Sequence, residues 1–152
     1  MTTILVLNGP NLGRLGAREP EVYGSETLAD IGARIEASVP DGIHIDLRQT
    51  EDESELIGWL YEAVDRGTPV VLNPAAFTHY SYGLRDAAAL LKQAGVPLIE
   101  VHLSNPHARE AFRHTSVISA VASGVIAGFG ADSYLLAVEQ IVRLIGASDA
   151  RA

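Results

Sequence analysis

The segment 3-TILVLNGPNLGRLGAREPEVYG-24 governs how the rest of the chain is read. Its first five residues, Thr3-Ile4-Leu5-Val6-Leu7, form an aliphatic run of the kind found in buried parallel strands. Asn8-Gly9-Pro10-Asn11 then demands a sharp turn, because Gly9 permits unusual φ and Pro10 fixes φ and removes a donor. The stretch from Asn8 to Gly24 far exceeds the roughly 2–6 residues usual between a strand and a helix in α/β units. It carries two asparagines (Asn8, Asn11), two arginines (Arg14, Arg18), Tyr23 and glycines at 13, 16 and 24. That mix suits a lid that brings polar groups over an anionic ligand. Tyr23 alone reads either as an aromatic that packs such a lid shut or as a functional phenol.

Working outward, apolar runs and helical patterns alternate five times. Ser25 precedes Leu28, Ile31, Ile35 and Val39, spaced for one helix face and closed by Pro40-Asp41-Gly42. Ile43, Ile45 and Leu47 alternate with His44, Asp46 and Arg48, the pattern of a half-exposed edge strand. Thr50 and Glu53 have capping-box spacing ahead of Leu56, Ile57, Leu60 and Val64. Val70-Val71-Leu72 reads as a central strand ending at Asn73-Pro74, followed by a helix from Ser81 to Gln93. Pro97–Leu103 and Gly124–Phe129 give the last two strands, and Ala131–Ile145 the last helix, with a frayed tail expected after Gly146. Strands alternating with helices indicate βαβ units around a parallel sheet. Five units in one domain point to a flavodoxin-like three-layer α/β sandwich with strand order 2-1-3-4-5.

Composition narrows the chemistry. The chain has 152 residues, no cysteine and a net charge of −8. Disulfides, thiolate nucleophiles and Cys metal sites are excluded. The charge disfavours nucleic acid and anionic membranes as partners, so an acidic substrate must be held by local arginines or backbone amides. No basic leader precedes the first strand and no apolar run reaches the ~18 residues of a membrane span, which points to the cytoplasm. The lone lysine, Lys92, sits near a helix C-terminus, where it complements the dipole rather than offering Schiff-base chemistry.

In open α/β sheets ligands bind beyond the carboxyl ends of the strands. Asn8, Asn73, His102 and Ser104 fall there, and His79 follows in the next loop. Glu100 and His102 share one strand face, so Glu100 can hold the imidazole's tautomer, as in a general acid–base pair. Competing motifs are missing. The first loop has no GxGxxG, and there is no GK[ST] or G-x-S-x-G. The five histidines show no metal-ligand spacing, so no metal is expected; His107 and His114, seven apart, read as solvated surface. Asp86 can pair with Arg85 or Arg109.

Three ordered blocks resemble type II 3-dehydroquinate dehydratases (3-dehydroquinases). They are Asn8–Gly13 with Arg18-Glu19-Pro20 and Tyr23-Gly24; Asn73–His79; and Glu100–Asn105 running to Arg109-Glu110 and Phe112-Arg113. The likeness covers nearly the whole chain. It implies a reversible syn dehydration of 3-dehydroquinate to 3-dehydroshikimate through an enolate, without cofactor, metal or imine. The pathway would be shikimate (aromatic amino acid) biosynthesis or quinate catabolism. By this resemblance Tyr23 is the base at C2, its phenolate stabilised by Arg18. Asn11 stabilises the enolate through a bound water, and His102, oriented by Glu100, protonates the leaving C1 hydroxyl. Asn73, His79 and Arg113 bind substrate hydroxyls, the amides of Leu103 and Ser104 bind its carboxylate, and Arg14 is a second lid arginine. The resemblance also implies a homododecamer, a tetramer of trimers, in which Asp86 reaches a neighbour's site. Tyr80, Tyr82-Gly83 and Ser133 depart from the family pattern. The rival classes are a flavin- or nucleotide-binding module and an inactive scaffold on the same fold.

Overall fold

The computed structural model describes residues 1–17, 19, 21 and 25–151, with side chains through Gly146. Five strands form one sheet: β1 (Thr2–Asn8), β2 (Ile43–Gln49), β3 (Val70–Asn73), β4 (Leu98–His102) and β5 (Gly124–Ala127). All neighbours are parallel and the order is β2-β1-β3-β4-β5, as the alternating pattern predicts. The helices are α1 (Leu28–Ser38), α2 (Glu53–Arg66), α3 (Tyr82–Gln93) and α4 (Asp132–Arg151).

Alternation along β1 sends its side chains into two separate cores. Ile4 and Val6 join Val71, Ile99 and Val101 beneath Ile31 and Ile35 of α1 and Tyr134, Val138 and Ile141 of α4. Leu5 and Leu7 join Val70, Leu72 and Leu98 beneath Leu56 and Leu60 of α2 and Leu84 and Leu91 of α3. The central strands are buried on both faces and therefore read as unbroken apolar runs. β2 pairs only with β1, and its outer positions keep the polar residues that marked it as an edge.

Several local expectations are corrected. α1 is capped by Thr27, not opened at Ser25: Thr27 Oγ1 accepts from Asp30 N at 3.1 Å and Asp30 Oδ2 from Thr27 N at 3.0 Å. The expected capping box of Thr50 and Glu53 does not form. Asp52 caps α2, accepting from Ser54 N at 2.9 Å, while Thr50 Oγ1 accepts from Asp52 N at 3.0 Å. Glu53 instead receives the hydroxyl of Ser81, the N-cap of α3, which ties α2 to α3. α4 is helical through Arg151. Gly9 is required for close approach rather than for φ: a Cβ there would lie 2.6 Å from the Pro74 carbonyl oxygen. The left-handed residue of this turn is Asn11, with φ of 70°.

Candidate active site

Parallel register brings the strand ends level, with Asn8 opposite Asn73 and His102 opposite Ala127. An open cavity lies over this edge. Asn11 and Leu12 close one side; Asn73 and His79 form its floor and flank; His102, Leu103 and Ser104 face them, with Arg109 and Arg113 beyond. Two guanidiniums and two imidazoles thus converge in a chain whose net charge is −8. Such local focusing is what an acidic ligand requires of an acidic protein.

At the centre of the edge, His102 Nε2 lies 2.5 Å from Glu100 Oε2. The Glu100 side chain is 1% exposed and that of His102 12%, so the carboxylate stands behind the ring and the ring meets the cavity. With Nε2–H donating to the carboxylate, Nδ1 is the nitrogen left to serve a ligand. Glu100 also accepts from Thr78 Oγ1 at 2.6 Å and Ser119 Oγ at 2.6 Å. Ser116 Oγ lies 3.0 and 3.1 Å from its two oxygens. Burial pushes the Glu100 carboxyl up, but the hydrogen bond and charge of His102, with the Ser119 and Thr78 hydroxyls, outweigh it. The group is held below its ordinary value.

Asn8 does not line the cavity, contrary to its sequence assignment. It is fully buried, and its Nδ2 donates to the Arg48 carbonyl at 3.0 Å. Its Oδ1 receives the Tyr134 hydroxyl at 2.6 Å. That hydroxyl accepts from Asn73 Nδ2 at 2.8 Å, and Asn73 Oδ1 accepts from Ala75 N at 3.1 Å. Burial pushes the Tyr134 phenol well up, against the smaller opposing effect of the Asn73 bond. A relay through β1, β3 and α4 therefore fixes the orientation of Asn73, which does reach the cavity.

Asn11 is held from behind. Its N–H donates to Glu51 Oε2 at 2.8 Å, and Gln49 Nε2 bridges Glu51 Oε1 at 2.8 Å and the Gly9 carbonyl at 3.2 Å. His79 Nδ1 bonds the Thr115 carbonyl at 2.8 Å and its ring meets Phe112 edge to face, leaving Nε2 for the cavity. Arg113 stacks over Phe112, 4.5 Å from the ring centroid, and pairs with Glu110 at 3.1 Å. Arg109, absent from the sequence assignment, lines the cavity and donates to Ser104 Oγ at 3.2 Å.

Other assigned residues fall elsewhere. Arg14 is exposed on the Leu12–Arg14 turn and does not line the cavity. Asp86 pairs with Arg85 at 2.9 Å on the outside of α3. Arg18 and Tyr23 lie outside the described residues. Tyr80 and Tyr82 are exposed and do not line the cavity, so those departures leave its described walls unchanged. Ser133 accepts from Phe129 N at 3.1 Å. His107 and His114 approach to 5.9 Å across two short turns. Lys92 Nζ caps the Ala120 carbonyl at 3.2 Å.

The sequence matches the family model for dehydroquinase class II over residues 2–142. The chain belongs to the class II dehydroquinase family. A 3-dehydroquinate dehydratase of Kineococcus radiotolerans is 59% identical over 145 residues, 94% of this chain and 97% of the relative. One from Salinispora tropica is 58% identical over 139 residues, 91% and 95% of the two chains. The crystal structure of type II dehydroquinase from Propionibacterium acnes superposes with a TM-score of 0.87 at 49% identity, covering 93% of this chain and 96% of that one. The β2-β1-β3-β4-β5 sheet is thus of the dehydroquinase fold, and the cavity lies at its carboxyl edge, beside the switch point between β1 and β3.

Proposed function

We propose that this class II dehydroquinase dehydrates 3-dehydroquinate to 3-dehydroshikimate through an enolate, with acid and base supplied by its own side chains. The observation that carries the reading is the buried Glu100 carboxylate 2.5 Å from a cavity-facing His102, in a chain whose family relatives bear that enzyme's name. His102 is the general acid: its Nε2–H is committed to Glu100, so Nδ1 delivers the proton to the leaving C1 hydroxyl. Tyr23 is the base at C2 and Arg18 the charge that favours its phenolate. Asn11 stabilises the enolate through water. Asn73, His79 and Arg113 bind hydroxyls, and the amides of Leu103 and Ser104 bind the carboxylate. Arg14 belongs to the lid.

We further propose that the chain works in the cytoplasm as a homododecamer, a tetramer of trimers, with Asp86 of one copy at the site of the next. Self-association is supported by apolar side chains left exposed around the open edge β5, including Phe129, 65% exposed, and Val125, 48% exposed. No helix among the described residues is long and apolar enough to cross a membrane.

The test is ultraviolet detection of the conjugated enone on mixing purified protein with 3-dehydroquinate, with and without borohydride and chelator. The expected signal is insensitive to both reagents. Folded protein that produces none would overturn the reading, and yellow colour or co-purified nucleotide absorbance would favour a binding module.

A further inference from the structure

The carboxylate behind His102 is more heavily solvated by protein than an orienting role demands. A carboxylate presents about four lone-pair sites. One is taken by His102 Nε2. Thr78 gives its single hydroxyl proton to the same oxygen, Oε2, and Ser119 gives its own to Oε1. Ser116 Oγ accepts from the N–H groups of Ile118 at 3.1 Å and Ser119 at 3.0 Å, so both its lone pairs are engaged. Its proton can then only point into the Glu100–Thr78 pair, 2.8 Å from Thr78 Oγ1 and 3.0 Å from Oε2.

Two consequences follow. A proton arriving on Glu100 would force a hydroxyl to turn away inside a buried site, so the carboxylate remains an acceptor throughout turnover. Its negative charge is also shared among His102, Thr78 and Ser119, with Ser116 pointing into the Glu100–Thr78 pair, rather than concentrated on the imidazole. A bare buried carboxylate would bind an imidazolium so firmly that the ring became a poor acid. Among the described residues, few other charges compete. On β4 only His102 titrates beside Glu100, and its strand neighbours Leu72 and Val125 are apolar. The packed turns bring His79, Arg113 paired to Glu110, and Arg109 on Ser104; α3 brings Lys92, on the Ala120 carbonyl.

We propose that Thr78, Ser116 and Ser119 are positioning residues of the acid pair: they saturate Glu100 and so set how strongly it grips the His102 ring. The inference rests on the reading of His102 as the acid. None of the three lines the cavity, so their effect on substrate must pass through Glu100 and His102.

The test is an NMR titration of isotope-labelled histidine in the intact, ligand-free protein, with the His102 signal identified by its loss in His102→Gln. Thr78→Val, which keeps shape but removes the hydroxyl, is expected to raise the His102 midpoint by roughly half to one pH unit. Ser119→Ala should raise it less, because it unloads the oxygen that does not bond His102. Thr78→Ser, which keeps the hydroxyl, should leave it at the wild-type value. With 3-dehydroquinate, the alkaline limb of kcat should move upward with the midpoint while KM stays near wild type. Midpoints unmoved or lowered in both hydroxyl-removing variants would overturn the proposal, as would a Thr78→Ser shift equal to that of Thr78→Val. The titration needs no substrate, so an inactive protein would defeat the dehydratase reading and leave this result standing.

Discussion

Asn11 shows how one residue serves backbone and chemistry together. Its φ of 70° is left-handed, a region Asn tolerates better than most side chains, and its N–H is tied to Glu51. Asn11→Gly keeps the backbone and removes the amide side chain. It should leave thermal stability near wild type and reduce kcat by about 10²-fold, the scale of a lost oxyanion donor. Asn11→Ala should lose the same activity and be about 1 kcal/mol less stable than Asn11→Gly, because it keeps a Cβ in the left-handed region without the polar amide that makes Asn tolerant of it. Equal stability of the two variants, read by denaturant titration, would remove the backbone half of this argument. For Tyr23 the argument rests on acidity. A phenol ionises near pH 10, so a base role needs Arg18, and Tyr23→Phe should cut kcat by roughly 10²–10⁴-fold with the fold intact. Retention of most activity would end the assignment.

Among elements, the decisive joint is where α4 meets the ends of β1 and β3. Tyr134→Phe deletes one oxygen and strands two buried partners, Asn8 Oδ1 and Asn73 Nδ2. The expected cost is about 1–3 kcal/mol from those unpaired groups. Because Asn73 also loses its anchor, KM for 3-dehydroquinate should rise more than kcat falls. A stability loss with unchanged KM would confine Tyr134 to structure. This joint was not legible in the sequence. Tyr134 lies on the apolar stripe of α4 and counts as core by period, yet a buried phenol must still find a partner. The same question asked of Glu100, a carboxylate between Ile99 and Val101, points to hidden donors, but nothing local names Thr78, Ser116 or Ser119. Sheet order and the Glu100–His102 pairing were legible because both follow from period-two alternation and the rule for strand ends. Cap positions were legible only to within a residue or two, since Thr27 and Asp52 compete with the equally suitable Ser25 and Thr50.

At the scale of the whole molecule, the buried anion links the site to acid stability. A carboxyl held below its unfolded value binds a proton more readily once the chain unfolds. Its stabilising contribution is therefore complete above the ordinary carboxylate value of 4.5 and is lost as pH falls through the lower folded value. Asp46 of β2 and Glu62 of α2, both lowered chiefly by hydrogen bonds from Arg48, act in the same direction from partly exposed positions. Glu100→Gln separates these contributions. At neutral pH the variant should be less stable than wild type, because the new amide must turn an N–H toward hydroxyl or imidazole donors. Below pH 4.5 the unfolded wild-type chain takes up the proton that the folded carboxyl still resists, and the folded carboxyl meets the same conflict once protonated at its lower value, whereas the surface groups titrate alike in both proteins. The difference in urea midpoint should therefore hold from pH 6 to about 4.5 and narrow from there towards pH 3. A difference that stays constant across that range would mean that the hydroxyl cage does not hold Glu100 as an anion in the folded protein.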